Sequence, residues 1–204
     1  MGKSKQWQQR QAADPYVAEA RQAGYRCRAA FKLVQIDDRD GVLRPGATVI
    51  DLGAAPGGWT QVAVERVGDR GRVVALDRLA MDPVAGAEVL NQDFATDAGL
   101  VALRQRLDGV GADVILSDMA PDLSGIKVAD QARSMELCEL AEDLADEVLA
   151  PGGSLVMKAF QGEGFDELLA RLRGAFRRVA PRKPDASRDG SAEQYLVAMG
   201  FKGN

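Results

Sequence analysis

Between Thr48 and Leu172 the chain alternates short apolar, β-branched runs with stretches of helical period, a pattern that few folds accept. Thr48–Leu52 is the first such run, followed by a glycine-rich turn and an amphipathic stretch to about Val67. Arg72–Leu76 reads as a second strand with Asp77 at its end, and a short strand near Val89–Leu90 leads to Asp93. Leu100–Leu107 has helical period, and Asp113–Leu116 is a buried strand ending at Ser117-Asp118. Residues 131–149 place Leu137, Leu140, Ala141, Leu144 and Val148 on one helical stripe, which Pro151-Gly152-Gly153 stops. Ser154–Met157 is a strand ending at Lys158, Phe165–Leu172 a helix, and residues near 176–180 and 194–199 closing strands. This alternation predicts an α/β fold, a mostly parallel sheet with helices on both faces. Such sheets hold ligands at the carboxyl ends of their strands, where Asp77, Asp118, Lys158 and the glycine turn all stand.

Ahead of the alternation, residues 1–24 read as a basic N-terminal arm running into a helix start, and residues 25–204 as a single domain. Residues 28–38 place Ala29, Ala30, Leu33 and Val34 on one helical face and leave Lys32 off it; Gly41 and Pro45-Gly46 end that segment. A chain of 204 residues, 46% hydrophobic, can bury one sizeable core. No stretch approaches the roughly 20 apolar residues that span a bilayer. The first residues, MGKSKQWQQRQ, lack the apolar centre of a signal peptide. Two distant cysteines, Cys27 and Cys138, and no histidine make a zinc site or a disulfide framework improbable and suit a reducing cytosol. The expectation is a cytoplasmic protein without a structural metal.

The net charge of −4 is unevenly spread. Residues 1–35 carry seven Lys/Arg against Asp14 and Glu19, and residues 171–188 carry seven against Asp185, whereas residues 36–170 carry 11 against 25 acidic residues. Basic segments bracketing an acidic centre suit phosphate contacts despite the low pI, although solvated helix faces can give the same count.

A chain with no histidine has lost the side chain that most often moves protons near neutral pH, so lysine and carboxylate must do that work in any acid–base enzyme. Lys32, Asp118, Lys158 and Glu193 stand in four short motifs: CRAAFKL, LSDMAP, MKAFQGEG and SRDGSAEQY. A lysine at a strand end is more often a surface charge than a catalyst. The flanks of Lys158 (Leu155, Val156, Met157, Ala159, Phe160) argue for partial burial there. Glu193 has the plainer alternative of pairing with an arginine of the basic C-terminal segment.

DLGAAPGGW sets Gly53, Gly57 and Gly58 between a strand and a helix, where backbone N–H groups can approach a ligand without a Cβ in the way. Asp77 lies 24 residues after Gly53 at the next strand's end, the place for a carboxylate that accepts from both hydroxyls of an adenosine ribose. Asp93 ends the third strand and could accept from an adenine amino group, or serve as a helix N-cap or turn residue. A dinucleotide site would carry G-x-G-x-x-G, but Ala55 and Pro56 interrupt it, and no P-loop lysine follows. Asp51 and the acidic centre repel a pyrophosphate and suit a ligand bearing a cation, such as the sulfonium and ammonium of S-adenosylmethionine.

CRAAFKL, DLGAAPGGW, SDMAP, APGGSLVMKAFQGEGFDE and RKPDASRDGSAEQY occur in one order from about Tyr25 to Lys202. In this the chain resembles the heat-shock-inducible bacterial 23S rRNA (uridine-2′-O-)-methyltransferases, the ribosomal RNA large subunit methyltransferase E family. The resemblance implies a seven-stranded Rossmann-like methyltransferase sheet and S-adenosylmethionine as donor. It implies, as acceptor, the ribose 2′-OH of a uridine in the A-loop of 23S rRNA on the large subunit; separately, a monomer is the expectation for the protein. By motif, Gly57, Trp59, Asp77, Asp93 and Asp118 match cofactor contacts; Trp59 could equally be helix packing. Lys32, Asp118, Lys158 and Glu193 match the family's catalytic set, with Lys158 as proton acceptor. Four positions depart from the family pattern: Cys27 for a frequent Ser, Ala30 for an aromatic, Asp122 for Asn, and Gly190 within the SRxxSxExY stretch.

A free lysine, pKa about 10.4, is protonated near neutrality and cannot take the 2′-OH proton. Burial or a cationic neighbour such as Lys32 would favour the neutral amine, while Asp118 and Glu193 favour the ammonium. Lys158 is then either a base or a fixed donor that orients the hydroxyl. Two other functions fit the residues: a 2′-O-methyltransferase of the same fold acting on tRNA or mRNA caps, and a non-catalytic RNA-binding assembly factor.

Overall fold

The structure, a computed structural model, describes residues 14–122, 124–188 and 190–203. The first half of the expected arm, residues 1–13, lies outside the described residues. Its second half is helix α1, Pro15–Ala23: Asp14 caps it by accepting from the Tyr16 N–H, Pro15 opens it and Gly24 closes it. Tyr16 packs on Phe31 of helix α2 (Ala30–Asp40), so the segment is docked on the domain.

Seven strands follow: β1 (Thr48–Leu52), β2 (Arg72–Asp77), β3 (Ala87–Asn91), β4 (Ala112–Ser117), β5 (Leu149–Phe160), β6 (Phe176–Arg182) and β7 (Glu193–Phe201). Helices α3 (Gly58–Val67), α4 (Asp97–Leu107), α5 (Lys127–Val148) and α6 (Phe165–Ala175) alternate with them. The strands form one sheet in the order β3-β2-β1-β4-β5-β7-β6. Pairs from β3 through β5 are parallel, and β7 runs antiparallel to both β5 and β6. The expected mostly parallel α/β architecture is the one observed.

Two apolar cores cover the two faces. One joins Leu33, Ile36, Trp59, Val62, Val156 and Tyr195 under α2 and α3; the other joins Ile50, Leu103, Ile115, Leu144, Met157 and Leu168 under α4, α5 and α6. Alternate residues of β5 feed opposite cores, as a period of two requires. Strand β5 is longer than the sequence suggested. Helix α5 ends at Val148, and Pro151-Gly152-Gly153 lies inside the strand, where the pairing with β4 shifts register.

Strand order reverses direction at β1, with β2 on one side and β4 on the other. The crevice beyond the carboxyl ends of β1, β2 and β4 is therefore where ligands bind in sheets of this type. Among the described residues, no helix is long and apolar enough to cross a membrane.

Candidate active site

A cavity of about 520 Å³ opens at that crevice. Its polar lining includes Asp77 from the end of β2, Asp93 just past β3 and Asp118 just past β4; Leu76, Phe94, Met119, Leu137 and Leu140 supply apolar wall. Gly53 belongs to this wall. Its φ is +72°, and a Cβ there would stand 2.7 Å from Met119 Cγ, so the position takes only glycine without displacement. The Asp77 carboxylate is held by the N–H groups of Ala55 (2.8 Å) and Leu79 (2.7 Å), one on each oxygen, which leaves a lone pair on each for a ligand hydroxyl. Asp93 Oδ1 accepts from Ala95 N–H at 3.0 Å, the turn role foreseen for it, while the residue still lines the cavity.

Gly57 and Trp59 stand beside this cavity, at the start of α3, and are not part of its lining. The Trp59 indole is buried, donates to the Ala29 carbonyl at 2.8 Å and lies 5.5 Å from the Tyr195 ring. Its side chain is packing, as the plainer alternative had it.

Near the end of β1, Asp51 is fully buried. One oxygen accepts from Thr60 Oγ1 at 2.6 Å, and Oδ1 has no partner among the described residues. Burial pushes its pKa up to about 7 against the Thr60 hydrogen bond, with the charges of Asp118 and Asp77 adding to the rise. Three carboxylates at the strand ends, with a fourth buried beside them, fit a ligand that offers hydroxyls, an amino group and a cation. They do not fit a pyrophosphate, and the volume suits a cofactor of nucleoside size.

Lys158 and Glu193 approach from the antiparallel half of the sheet. Lys158 on β5 sits opposite Tyr195 on β7, and Glu193 is two residues before Tyr195, so the three side chains share one face. Lys158 Nζ donates to the Asp118 carbonyl at 2.8 Å and forms an ion pair with Asp118 Oδ1 at 2.7 Å, and its side chain is only 8% exposed. Lys32, projecting from α2, reaches the same face: its Nζ lies 2.6 Å from Glu193 Oε1 and 3.2 Å from the Tyr195 hydroxyl. Glu193 Oε2 is 4.0 Å from Lys158 Nζ. The four residues expected to act together are thus one cluster, and Glu193 pairs with a lysine where an arginine was the alternative.

Tyr195 is the member that sequence reasoning missed. Fully buried, it donates from its hydroxyl to Asp118 Oδ1 at 2.6 Å and accepts from Lys32, tying the two ion pairs together. Burial, then the charges of Asp118 and Glu193, raise its pKa well above 10, so the phenol keeps its proton. The signal was in SAEQY: two residues from Glu193 on a strand means the same face.

The FtsJ-like methyltransferase model matches residues 25–201. The chain belongs to that family. Among curated relatives, the ribosomal RNA large subunit methyltransferase E of Alkalilimnicola ehrlichii is 53% identical over 97% of this chain and 95% of its own. The protein of the same name from an Azoarcus species is 54% identical over 98% and 97%. A Plasmodium falciparum crystal structure described as a ribosomal RNA methyltransferase superposes with a TM-score of 0.80 at 29% identity, over 88% of this chain and all of that one. An FtsJ-like methyltransferase needs a methyl donor, and S-adenosylmethionine is the one that the carboxylate-lined cavity fits.

Two of the departures from the family pattern have local reasons here. A Cβ at Gly58 would meet the Cys27 thiol at 2.5 Å, which places the small Cys27 side chain directly over α3. Asp122 pairs with Arg78 at 2.7 Å across the cavity rim.

Proposed function

We propose that this FtsJ-like enzyme transfers the methyl group of S-adenosylmethionine to the ribose 2′-OH of a uridine in the A-loop of 23S rRNA, on the large ribosomal subunit. The observation that carries this is the cluster Lys158–Asp118 and Lys32–Glu193, closed by Tyr195, at the edge of the carboxylate-lined cavity. Asp118 belongs to both: it lines the cavity and holds Lys158.

In this assignment Asp77 accepts from the cofactor's ribose hydroxyls, Asp93 from its adenine amino group, and Asp118 and Asp51 favour its cationic end. Gly53 lets it approach the backbone. At the α3 N-terminus, beside the cavity, Trp59 offers its backbone N–H to the cofactor's carboxylate, while Gly57, whose own N–H is held by the Ala54 carbonyl at 2.7 Å, shapes the turn that presents it. When bound, the cofactor supplies an electrophilic methyl group on a sulfonium.

The acceptor comes from the other side. A second cavity of about 280 Å³, lined by Arg28, Lys32, Arg188, Ser191 and Glu193, opens onto the same cluster. Arg188 faces a phosphate there, beside Arg28, which is held by Asp14 and the Ala186 carbonyl, while Lys32 directs the ribose. Lys158, held by the Asp118 carbonyl and ion-paired with Asp118 Oδ1, turns the free side of Nζ to the 2′-OH. As a neutral amine Lys158 takes the hydroxyl's proton on its lone pair and becomes the ammonium; as an ammonium it passes one of its own protons to the adjacent Asp118 carboxylate while it takes the hydroxyl's. Positioning of this kind is worth up to about 7–11 kcal/mol in the best intramolecular cases. All four catalytic residues come from one chain, which supports a monomer as the working unit. The substrate and the composition support a cytoplasmic location.

The deciding experiment offers labelled S-adenosylmethionine with large subunits lacking the modification, free 23S rRNA and tRNA, side by side, and maps the labelled nucleotide. Label confined to a 2′-O-methyluridine of 23S rRNA is the expected result. Label on tRNA alone would overturn the acceptor, and none on any RNA would overturn the activity.

A further inference from the structure

Arg26 belongs by sequence to the basic stretch Arg26, Arg28, Lys32, whose charge suits RNA phosphate. Its guanidinium is used differently. Nη1 donates to the carbonyls of Pro56 (3.0 Å) and Asp82 (2.6 Å), and Nη2 donates to that of Pro83 (2.6 Å). Its backbone N–H is held by Gln61 Oε1 at 2.9 Å, and Gln61 in turn donates to the Gly24 carbonyl at 3.0 Å. Among the described residues Arg26 has no carboxylate partner, and no other side chain hydrogen-bonds the carbonyls of residues 80–86.

Those three carbonyls lie just outside the cofactor cavity, in two segments whose neighbouring residues line it. Pro56 is in the glycine turn. Asp82 and Pro83 are in the loop that leaves the cavity after Asp77, Arg78 and Leu79 and returns along β3 to Gln92, Asp93 and Phe94, also lining residues. The loop therefore connects the two carboxylates that face the adenosine. Gly57 shows how closely Arg26 is fitted: a Cβ at that position would meet Arg26 Nη1 at 2.9 Å and Val84 Cγ2 at 3.1 Å.

We propose that Arg26 is a positioning residue of the cofactor cavity: its planar fork clamps the 79–86 loop to the glycine turn, so cofactor affinity, and not RNA affinity, depends on it. The proposal rests on S-adenosylmethionine occupying the large cavity. A point charge cannot replace a fork that spans three carbonyls, so lysine is the informative substitution. An exposed phosphate contact tolerates that change because the charge stays.

The test is calorimetric titration of wild type, Arg26→Lys and Arg26→Gln with S-adenosylmethionine in the absence of RNA, followed by steady-state methylation and rRNA binding across a salt series. For Arg26→Lys the expected result is cofactor binding weaker by about tenfold, the loss of roughly one charge-assisted hydrogen bond. Cofactor KM rises by a similar factor with a smaller change in kcat, while the salt slope of rRNA binding stays at the wild-type value. Arg26→Gln gives the same loss and serves if the lysine variant does not fold. A purely structural role would lower the melting temperature without splitting KM from kcat, and would overturn the proposal. So would wild-type cofactor affinity in both variants, or a loss that falls on rRNA binding. Failure of the wild type itself to bind S-adenosylmethionine would instead remove the cofactor assignment, and the proposal with it.

Discussion

The Tyr195 hydroxyl and the Lys158 amine meet the same oxygen, Asp118 Oδ1, at 2.6 Å and 2.7 Å. One carboxylate oxygen thus takes a hydrogen bond from the phenol and an ion pair from the lysine, on neighbouring strands, and the phenol links Lys158 to the Lys32–Glu193 pair. Tyr195→Phe keeps the ring against Trp59 and removes only this link. The expected outcome is a folded protein with near-normal cofactor affinity and single-turnover methyl transfer slower by about ten- to a hundredfold, a cost of the size found when one positioned polar group is lost. Single-turnover rates beside calorimetric cofactor binding would check it, and an unchanged rate would remove Tyr195 from the cluster's work.

Lys158→Ala is expected to lower single-turnover transfer by about a thousandfold or more, with cofactor affinity within a few-fold of wild type, because the amine faces the acceptor. Lys158→Arg should not rescue it, since the guanidinium cannot occupy the two-acceptor seat on Asp118 or give up a proton. Near-normal transfer in either variant would show that another group orients the hydroxyl.

Lys32 and Glu193 are 12% and 11% exposed, so each charge depends on the other for compensation. Removing one partner of a buried pair costs about 3–5 kcal/mol, whereas an apolar replacement of both can be nearly neutral. Urea denaturation should therefore find Glu193→Ala less stable than the double variant Lys32→Met/Glu193→Leu, although both lose activity. Equal stabilities would mean that water compensates the stranded lysine.

Asp51 gives stability a pH dependence of unusual sign for a carboxylate. Its pKa of about 7 in the fold lies above the ordinary value of 3.8, so the native state holds the proton more tightly than the unfolded chain. Stability from this group is complete below the unfolded value and is lost as pH rises through about 7. Between pH 5.5 and 8 the wild type should lose on the order of a few kcal/mol relative to Asp51→Asn, measured as the difference in urea midpoints. Saturating S-adenosylmethionine should reduce that difference, because its cationic end stabilises the ionised carboxylate. Parallel pH profiles for the two proteins would contradict the burial of an ionisable Asp51.

Much of the fold was legible because its period is local. The run Thr48–Leu52 became β1 with the same ends, and Asp77 and Asp118 stood at strand ends as expected, since β-branched runs followed by turns need no distant partner to be recognised. Strand β5 was misjudged at its start. Pro151-Gly152-Gly153 is a helix stop by local rules, but β4 pairs with Leu149 before it and Ser154 after it, so the segment becomes an irregularity within the strand, with Gly152 at φ +87°. The helix start expected before residue 25 is present as α1, but its docking was not legible, because the contacts of Asp14 and Tyr16 with Arg28 and Phe31 join distant parts of the chain.

The charge count overstated the RNA-facing surface for the same reason. Arg178 and Arg182 are committed to the buried Asp40, Arg171 to Glu142, and Arg26 to three carbonyls. Composition counts these cations but cannot see their partners.

From its sequence alone this protein had its strand–helix alternation, its glycine turn and the residue types of its site, because those depend on neighbours a few positions away. Tertiary structure alone decided that Lys32 and Glu193, 161 residues apart, would share a hydrogen bond and that Tyr195 would join them to Asp118. Antiparallel pairing of β7 with β5 sets which side chains share a face, and that register is a property of two distant segments meeting.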